Sequence, residues 1–131
     1  MERNEKTRAL LAAFGCALAY LLAGKALTAV LPQVPEEAAR MWAFVHRCAA
    51  APIVEELVFR GIIQQLARPL GERQAVALQA VLFAVQHRGP AGMAYALVCG
   101  LVLGTIRSRT GGVWPGMLLH TLNNLLVFAA G

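Results

Sequence analysis

The chain contains no aspartate, and Ser108 is its only serine. These gaps remove a two-aspartate intramembrane protease mechanism and any Ser-His-Asp triad. Ser108 falls between Arg107 and Arg109 in a polar break expected to be a loop. That is a poor place for a nucleophile that needs a buried base. HExxH is absent, and with it the usual zinc-protease helix. Cys16, Cys48 and Cys99 are scattered through apolar segments with no CxxC spacing. They read as small buried hydrophobes rather than zinc ligands. No glycine-rich phosphate loop, internal repeat, linker or low-complexity tract occurs. Charge is scarce too: 15% of the 131 residues are charged and 58% are hydrophobic. A soluble domain carries roughly a quarter charged residues, so this chain has too little polar surface to wrap a soluble globule. Its setting is the membrane.

Leu10 to Leu31 is apolar apart from Lys25. At about 1.5 Å per residue, it is long enough to cross a hydrocarbon layer of about 30 Å. Lys25 lies near one end and can snorkel to the interface. A cleaved signal peptide is the rival reading. It is the weaker one, because the apolar run is too long and the leader MERNEKTR mixes acids with bases. Four more apolar stretches follow: Met41 to Leu66, Gln74 to Gln86, Ala91 to Ile106 and Val113 to Ala130. The breaks between them are LPQVPEEAAR, RPLGER, HRGPAG and RSRTGG. Their lengths favour helices over strands. The expected fold is all-α: a polytopic transmembrane bundle of about five membrane-associated helices. It divides into a leader (1–9), a first transmembrane helix (10–31) and a helical core (41–131). Gly100 and Gly104 have the spacing of a close helix contact.

The net charge of +5 raises the question of nucleic acid. With five helices and a cytoplasmic N-terminus, Arg3, Lys6, Arg8, Arg68, Arg73, Arg107 and Arg109 fall inside, and only Arg40 and Arg88 fall in outer loops. That is the positive-inside pattern. No basic run interleaved with aromatics competes with it, so the expected partner is the lipid bilayer and not nucleic acid.

Few polar side chains interrupt the apolar stretches, and their spacing has a pattern. In PIVEELVFRG, Glu56 and Arg60 are four apart and share a helix face. In a low-dielectric setting they would pair. Glu55 is turned by about 100° from Glu56, which leaves it free for other work. Pro52 suits a first helical turn, which would put both glutamates near a helix start, where the dipole favours negative charge. Met41 to Ala49 would be an interfacial prelude. Phe83 and His87 are four apart in FAVQH, as are His120 and Asn124 in HTLNN, with Pro115 placed to open the latter helix. Three helices would then bring a carboxylate, two imidazoles and an amide to one point.

Such a set suits peptide-bond hydrolysis without a metal. Burial would make Glu55 a better base and then a better acid. His87 would hold the same water. His120 and Asn124 would donate to the oxyanion, each donor being worth about 3 kcal/mol. Plainer readings stand beside each residue. A Glu–Arg pair is often only a tie, a membrane histidine is more often a helix–helix hydrogen bond, and Phe83 is more often a packing residue. Gln64, Gln65, Gln79 and Gln86 read as interhelical or interfacial glue, and His46 and Arg47 as interfacial. The joint set tips the balance, because ionisable residues inside a membrane are functional candidates by default.

At this point EELVFR resembles the EExxxR motif of the CAAX-protease and bacteriocin-processing (CPBP) intramembrane endopeptidases. FAVQH is similar to that family's FxxxH, and HTLNN to its HxxxN, in the same order. The resemblance covers about Ala51 to Val127. It implies a glutamic-type protease in an all-helical membrane domain, with no cofactor. Glu55 with His87 would activate water, and His120 with Asn124 would form the oxyanion site. Glu56, Arg60 and Phe83 take the remaining motif positions, and Asn123 is a neighbouring donor able to stand in for Asn124. The substrate would be a membrane protein or peptide. The family covers prenylated C-terminus trimming, bacteriocin processing or immunity, and sorting-signal removal. Its prenyl-protein proteases have more helices, so a second copy or a partner protein would complete the substrate groove here. The expected location is a bacterial or archaeal cell membrane.

Two other functions compete. Glu55, His87 and His120 would make a two-His, one-Glu zinc set, and chelator sensitivity with metal analysis discriminates. A non-catalytic immunity or scaffold protein would keep the fold and ignore Glu55→Gln. One geometric tension is visible as well. In the five-helix topology His87 falls near the outer end of its helix and His120 nearer the inner end of its own. Convergence then needs tilt, a re-entrant segment or different boundaries.

Overall fold

The computed structural model describes residues 2–32 and 34–131; Met1 of the leader and Gln33 of the first polar break lie outside them. Among the described residues there are five helical rods and no strand. Helix α1 is Glu2–Val30, so the leader continues into the first apolar helix. Helix α2 is unbroken over 36–66 and is followed by a short 3-10 turn, Arg68–Leu70. Helices α3 (Glu72–Ala84), α4 (Gly89–Thr110) and α5 (Trp114–Ala130) complete the bundle. Two of the five, α1 and α4, are long and apolar enough to span a membrane.

The interior inverts the pattern of a soluble protein. Leu10, Leu11, Phe14, Leu18, Leu22 and Leu27 point outward along α1, while its buried positions are Ala9, Ala13 and Ala17. Small residues let the backbones approach, which is how helices associate in lipid. The core proper holds Phe59, Ile63, Leu82, Phe83 and Ala96, together with Glu56, Arg60, Gln64, Gln79 and His120. Tyr20 of α1 meets Phe59 edge-on at 5.4 Å, and Phe59 meets Phe83 at 5.1 Å.

Gly100 and Gly104 serve the expected close contact, between α4 and α3. A Cβ at Gly100 would lie 2.9 Å from the Cα of Ala80. The freed space admits glutamine amides: Gln79 Nε2 donates to Gly100 O at 2.7 Å, and Gln64 Nε2 to Gly104 O at 3.0 Å. Gln86 reaches Ala17 O of α1 at 3.4 Å.

Three local expectations are corrected. Pro52 does not start a helix. It sits inside α2, which begins at residue 36, so Glu55 and Glu56 are far from a helix start and gain nothing from its dipole. The helix absorbs the proline by widening into a π segment, His46–Ala50, just before it. A second π segment, Glu56–Ile63, follows. Ser108 lies on α4 rather than in a loop, because that helix runs on to Thr110 and ends only where Gly111 takes φ +74°. His87 lies past the end of α3, in the turn between α3 and α4. Arg88 is extended and Gly89 takes φ +72°, which breaks the helix there, and Pro90 opens α4. At 13 residues, α3 reaches only about 20 Å and cannot cross the bilayer. Different boundaries therefore remove the depth conflict between His87 and His120.

Candidate active site

Glu56 and Arg60 form the expected pair, with Arg60 Nη1 3.1 Å from Glu56 Oε1 and both side chains fully buried. Arg60 also lies over Phe83, its Cζ 4.4 Å from the ring centroid, a cation–π contact that partly offsets burying the guanidinium. Phe83 is the hub of the cluster. Its ring meets His87 at 4.7 Å and His120 at 5.8 Å, both edge-on.

His120 joins the two glutamates. Its Nδ1 lies 2.9 Å from Glu56 Oε1, and its Nε2 lies 3.5 Å from Glu55 Oε2. Glu56 thus receives both the arginine and the histidine. A carboxylate on one imidazole nitrogen fixes the ring's orientation. Glu55 has only the longer contact to His120 Nε2, and its side chain keeps 19% exposure where that of Glu56 has none. His87 is oriented separately. Its Nδ1 lies 3.0 Å from Phe83 O. A carbonyl only accepts, so Nδ1 carries a proton, and in that tautomer of the neutral ring Nε2 is an acceptor.

Asn124 sits one turn beyond His120 on α5, and its Nδ2 donates to Arg47 O at 2.8 Å. The first π segment explains why that carbonyl needs a donor. The Ala51 N–H goes to His46 O. The next candidate donor would be Pro52, which has no N–H. Arg47 O is left without a helical partner, and Asn124 supplies one. Asn123 accepts from the Tyr95 hydroxyl and donates to Asn124 Oδ1 at 3.4 Å.

The structure therefore gathers Glu55, Glu56, Arg60, Phe83, His87 and His120, and anchors Asn123 and Asn124 along the adjoining face of α5. Among the described residues no three His, Cys or acidic side chains are grouped to hold a metal ion, Glu55, His87 and His120 included.

Sequence reasoning missed Gly116. It precedes His120 by one turn, and a Cβ there would lie 2.6 Å from Glu56 Oε2. Its lack of a side chain lets α5 press His120 onto the glutamates. The only signal was a glycine one helical turn before the histidine. Tyr95 was also missed, since nothing in its apolar surroundings marks its hydroxyl as a partner.

The family model described as "Type II CAAX prenyl endopeptidase Rce1-like" matches residues 37–126. The chain belongs to this Rce1-like family. The match agrees with the CPBP resemblance, and it spans every residue of the cluster. The protein is accordingly an integral membrane protein and a membrane-embedded peptidase. No curated protein and no solved structure gave a match.

Proposed function

We propose that this Rce1-like chain is a metal-independent glutamic endopeptidase that cleaves a membrane-associated or lipid-modified protein or peptide. The observation that supports this reading is the unequal state of the two glutamates. Glu56 is tied to Arg60 and to His120 Nδ1, while Glu55 reaches only His120 Nε2, at 3.5 Å, and stays accessible.

In the proposed reaction Glu55 takes a proton from water while His87 Nε2 accepts the second water hydrogen. The resulting hydroxide attacks the scissile carbonyl carbon. His120 and the second amide hydrogen of Asn124 serve the developing oxyanion. As the tetrahedral intermediate breaks down, Glu55 passes its proton to the leaving amine, which restores the carboxylate. Hydrolysis is thus balanced without a cofactor.

The family description points to prenylated C-termini as the first substrates to try. The N-terminus is read as cytoplasmic in a bacterial or archaeal membrane, because Arg3, Lys6 and Arg8 share a sign with the arginines at the 68–73 and 107–109 ends. A second copy or a partner protein would complete the walls of the substrate groove.

Terminus mapping by mass spectrometry tests the reading. Wild type and Glu55→Gln are expressed at equal membrane levels in the native host. A terminus that appears only with wild type is expected. Identical termini would favour an immunity or scaffold role.

A further inference from the structure

A second polar centre lies where α3 begins and α4 ends, reached from the Glu56 cluster through Arg60. Two adjoining cavities meet there and share Glu72 and Ser108 as walls. The inner one, ≈ 30 Å³, is lined by Arg60, Gln64, Arg68 and Arg107. The outer one is an open groove of ≈ 420 Å³ between the helices, with Arg73 and Arg109 beside Val76 and Thr105. That volume is in the range of small-ligand sites, about 300–1,000 Å³.

The charge at this end is unbalanced. Glu72 is the one carboxylate in the two walls. Arg68 Nε lies 3.6 Å from it. The Ser108 hydroxyl, together with Arg68 and Arg107, holds the Glu72 carboxyl below the usual glutamate range. Among the described residues Arg73, Arg107 and Arg109 make no salt bridge, and Arg107 Nε is buried without a hydrogen-bond partner. Val76 and Thr105 each lie about one turn deeper than the arginine on their own helix. The groove is therefore cationic at its rim and mainly apolar towards the bilayer.

We infer that this groove binds an anionic phospholipid, its phosphate held by Arg73 and Arg109 and its acyl chain lying along Val76 and Thr105. The order of layers matches a lipid standing in its own leaflet: charge at the helix ends, hydrocarbon below. Basic pockets between helices at a membrane face recognise head groups through this chemistry. A soluble anion would have no use for the apolar wall.

Native mass spectrometry of the full chain, released from nanodiscs of equal phosphatidylglycerol and phosphatidylcholine, tests the site. Wild type is expected to retain phosphatidylglycerol preferentially. Arg73→Gln/Arg109→Gln is expected to lose about fivefold in that preference per arginine removed. Arg40→Gln/Arg88→Gln, the same change in net charge elsewhere, is expected to leave it intact. Equal retention in wild type and the Arg73/Arg109 variant would overturn the proposal. So would equal loss in the control pair, or displacement of the lipid by millimolar inorganic phosphate. If the variant does not fold, the wild type decides alone: its preference should fall as salt rises, and a salt-independent preference would sink the idea.

Discussion

Gly116→Ala is the sharpest probe of how the site is held. The added Cβ would lie 2.6 Å from Glu56 Oε2 and 3.4 Å from Glu56 Cδ. A carbon–oxygen contact relaxes near about 3.3 Å, so the carboxylate or the helix must retreat by about 0.7 Å. Glu56 has little freedom to swing away, because its other oxygen lies 2.9 Å from His120 and 3.1 Å from Arg60 and its side chain is fully buried. Overpacking of this kind costs about 1–3 kcal/mol. Alanine in place of a helical glycine returns up to about 1 kcal/mol. The net loss of stability should be about 0–3 kcal/mol, which leaves a folded protein. Activity should suffer more. A retreat of that size stretches the His120–Glu56 contact to about 3.6 Å, beyond hydrogen-bond range. Displacements approaching 1 Å cost up to about 100-fold in rate, so kcat should fall about 10- to 100-fold with KM little changed.

The assay is cleavage, in proteoliposomes, of the peptide that terminus mapping identifies, alongside detergent unfolding curves. Gly15→Ala and Gly24→Ala are the controls: both glycines are on α1, and a Cβ at either meets nothing within 4 Å. They should be as active as wild type and as stable or more so. A Gly116→Ala protein that matches them in both rate and stability would refute the reasoning, because Glu56 would then not be locked against α5.

The remaining predictions concern the ties around this cluster. Arg60→Met strips the buried Glu56 of its arginine and leaves it only His120, so it should destabilise the protein by up to about 3–5 kcal/mol; adding Glu56→Gln should recover most of that, and simple additivity in unfolding would argue against the pair. Asn124→Ala strips Arg47 O of its donor and should cost about 0.6–1.7 kcal/mol, the range seen for hydrogen bonds between membrane helices. Pro52→Ala restores an N–H beside that carbonyl, so the stability cost of Asn124→Ala should shrink in the Pro52→Ala background. An unchanged cost would disconnect the two residues.

Much of this arrangement was legible in the sequence because the cues were local. The spacing of Glu56 and Arg60 gave their pair, and the odd angular position of Glu55 kept it off Arg60. The spacing of Gly100 and Gly104 gave the close contact of α4 with α3. Element boundaries were less legible, for a physical reason. A proline within an apolar run normally marks a helix start, and no residue pattern announces the π segment that lets α2 run through Pro52. The same holds for His87: a spacing of four satisfies a helix and also a turn that folds back on Phe83 O. Gly116 was hidden because its role is set by Glu56, 60 positions away in the chain.

The two π segments tie these cases together. A π turn carries a residue beyond the α-helical count and leaves the local hydrogen bonding irregular, and such turns often occur at functional sites. In α2 the first leaves Arg47 O in need of a donor, and Asn124 meets it from α5. The second begins at Glu56, which takes His120 from the same helix. Helix α5 is thus pinned to α2 at two points, each at an irregularity of α2, and Gly116 allows the helices to close between the N-terminus of α5 and His120. Two such pins fix both the rotation and the height of α5 against the glutamates, which a single hydrogen bond could not do. On this view the cost of distorting α2 is offset by precise placement of His120, and Glu55 is left beside it as the more loosely held carboxylate.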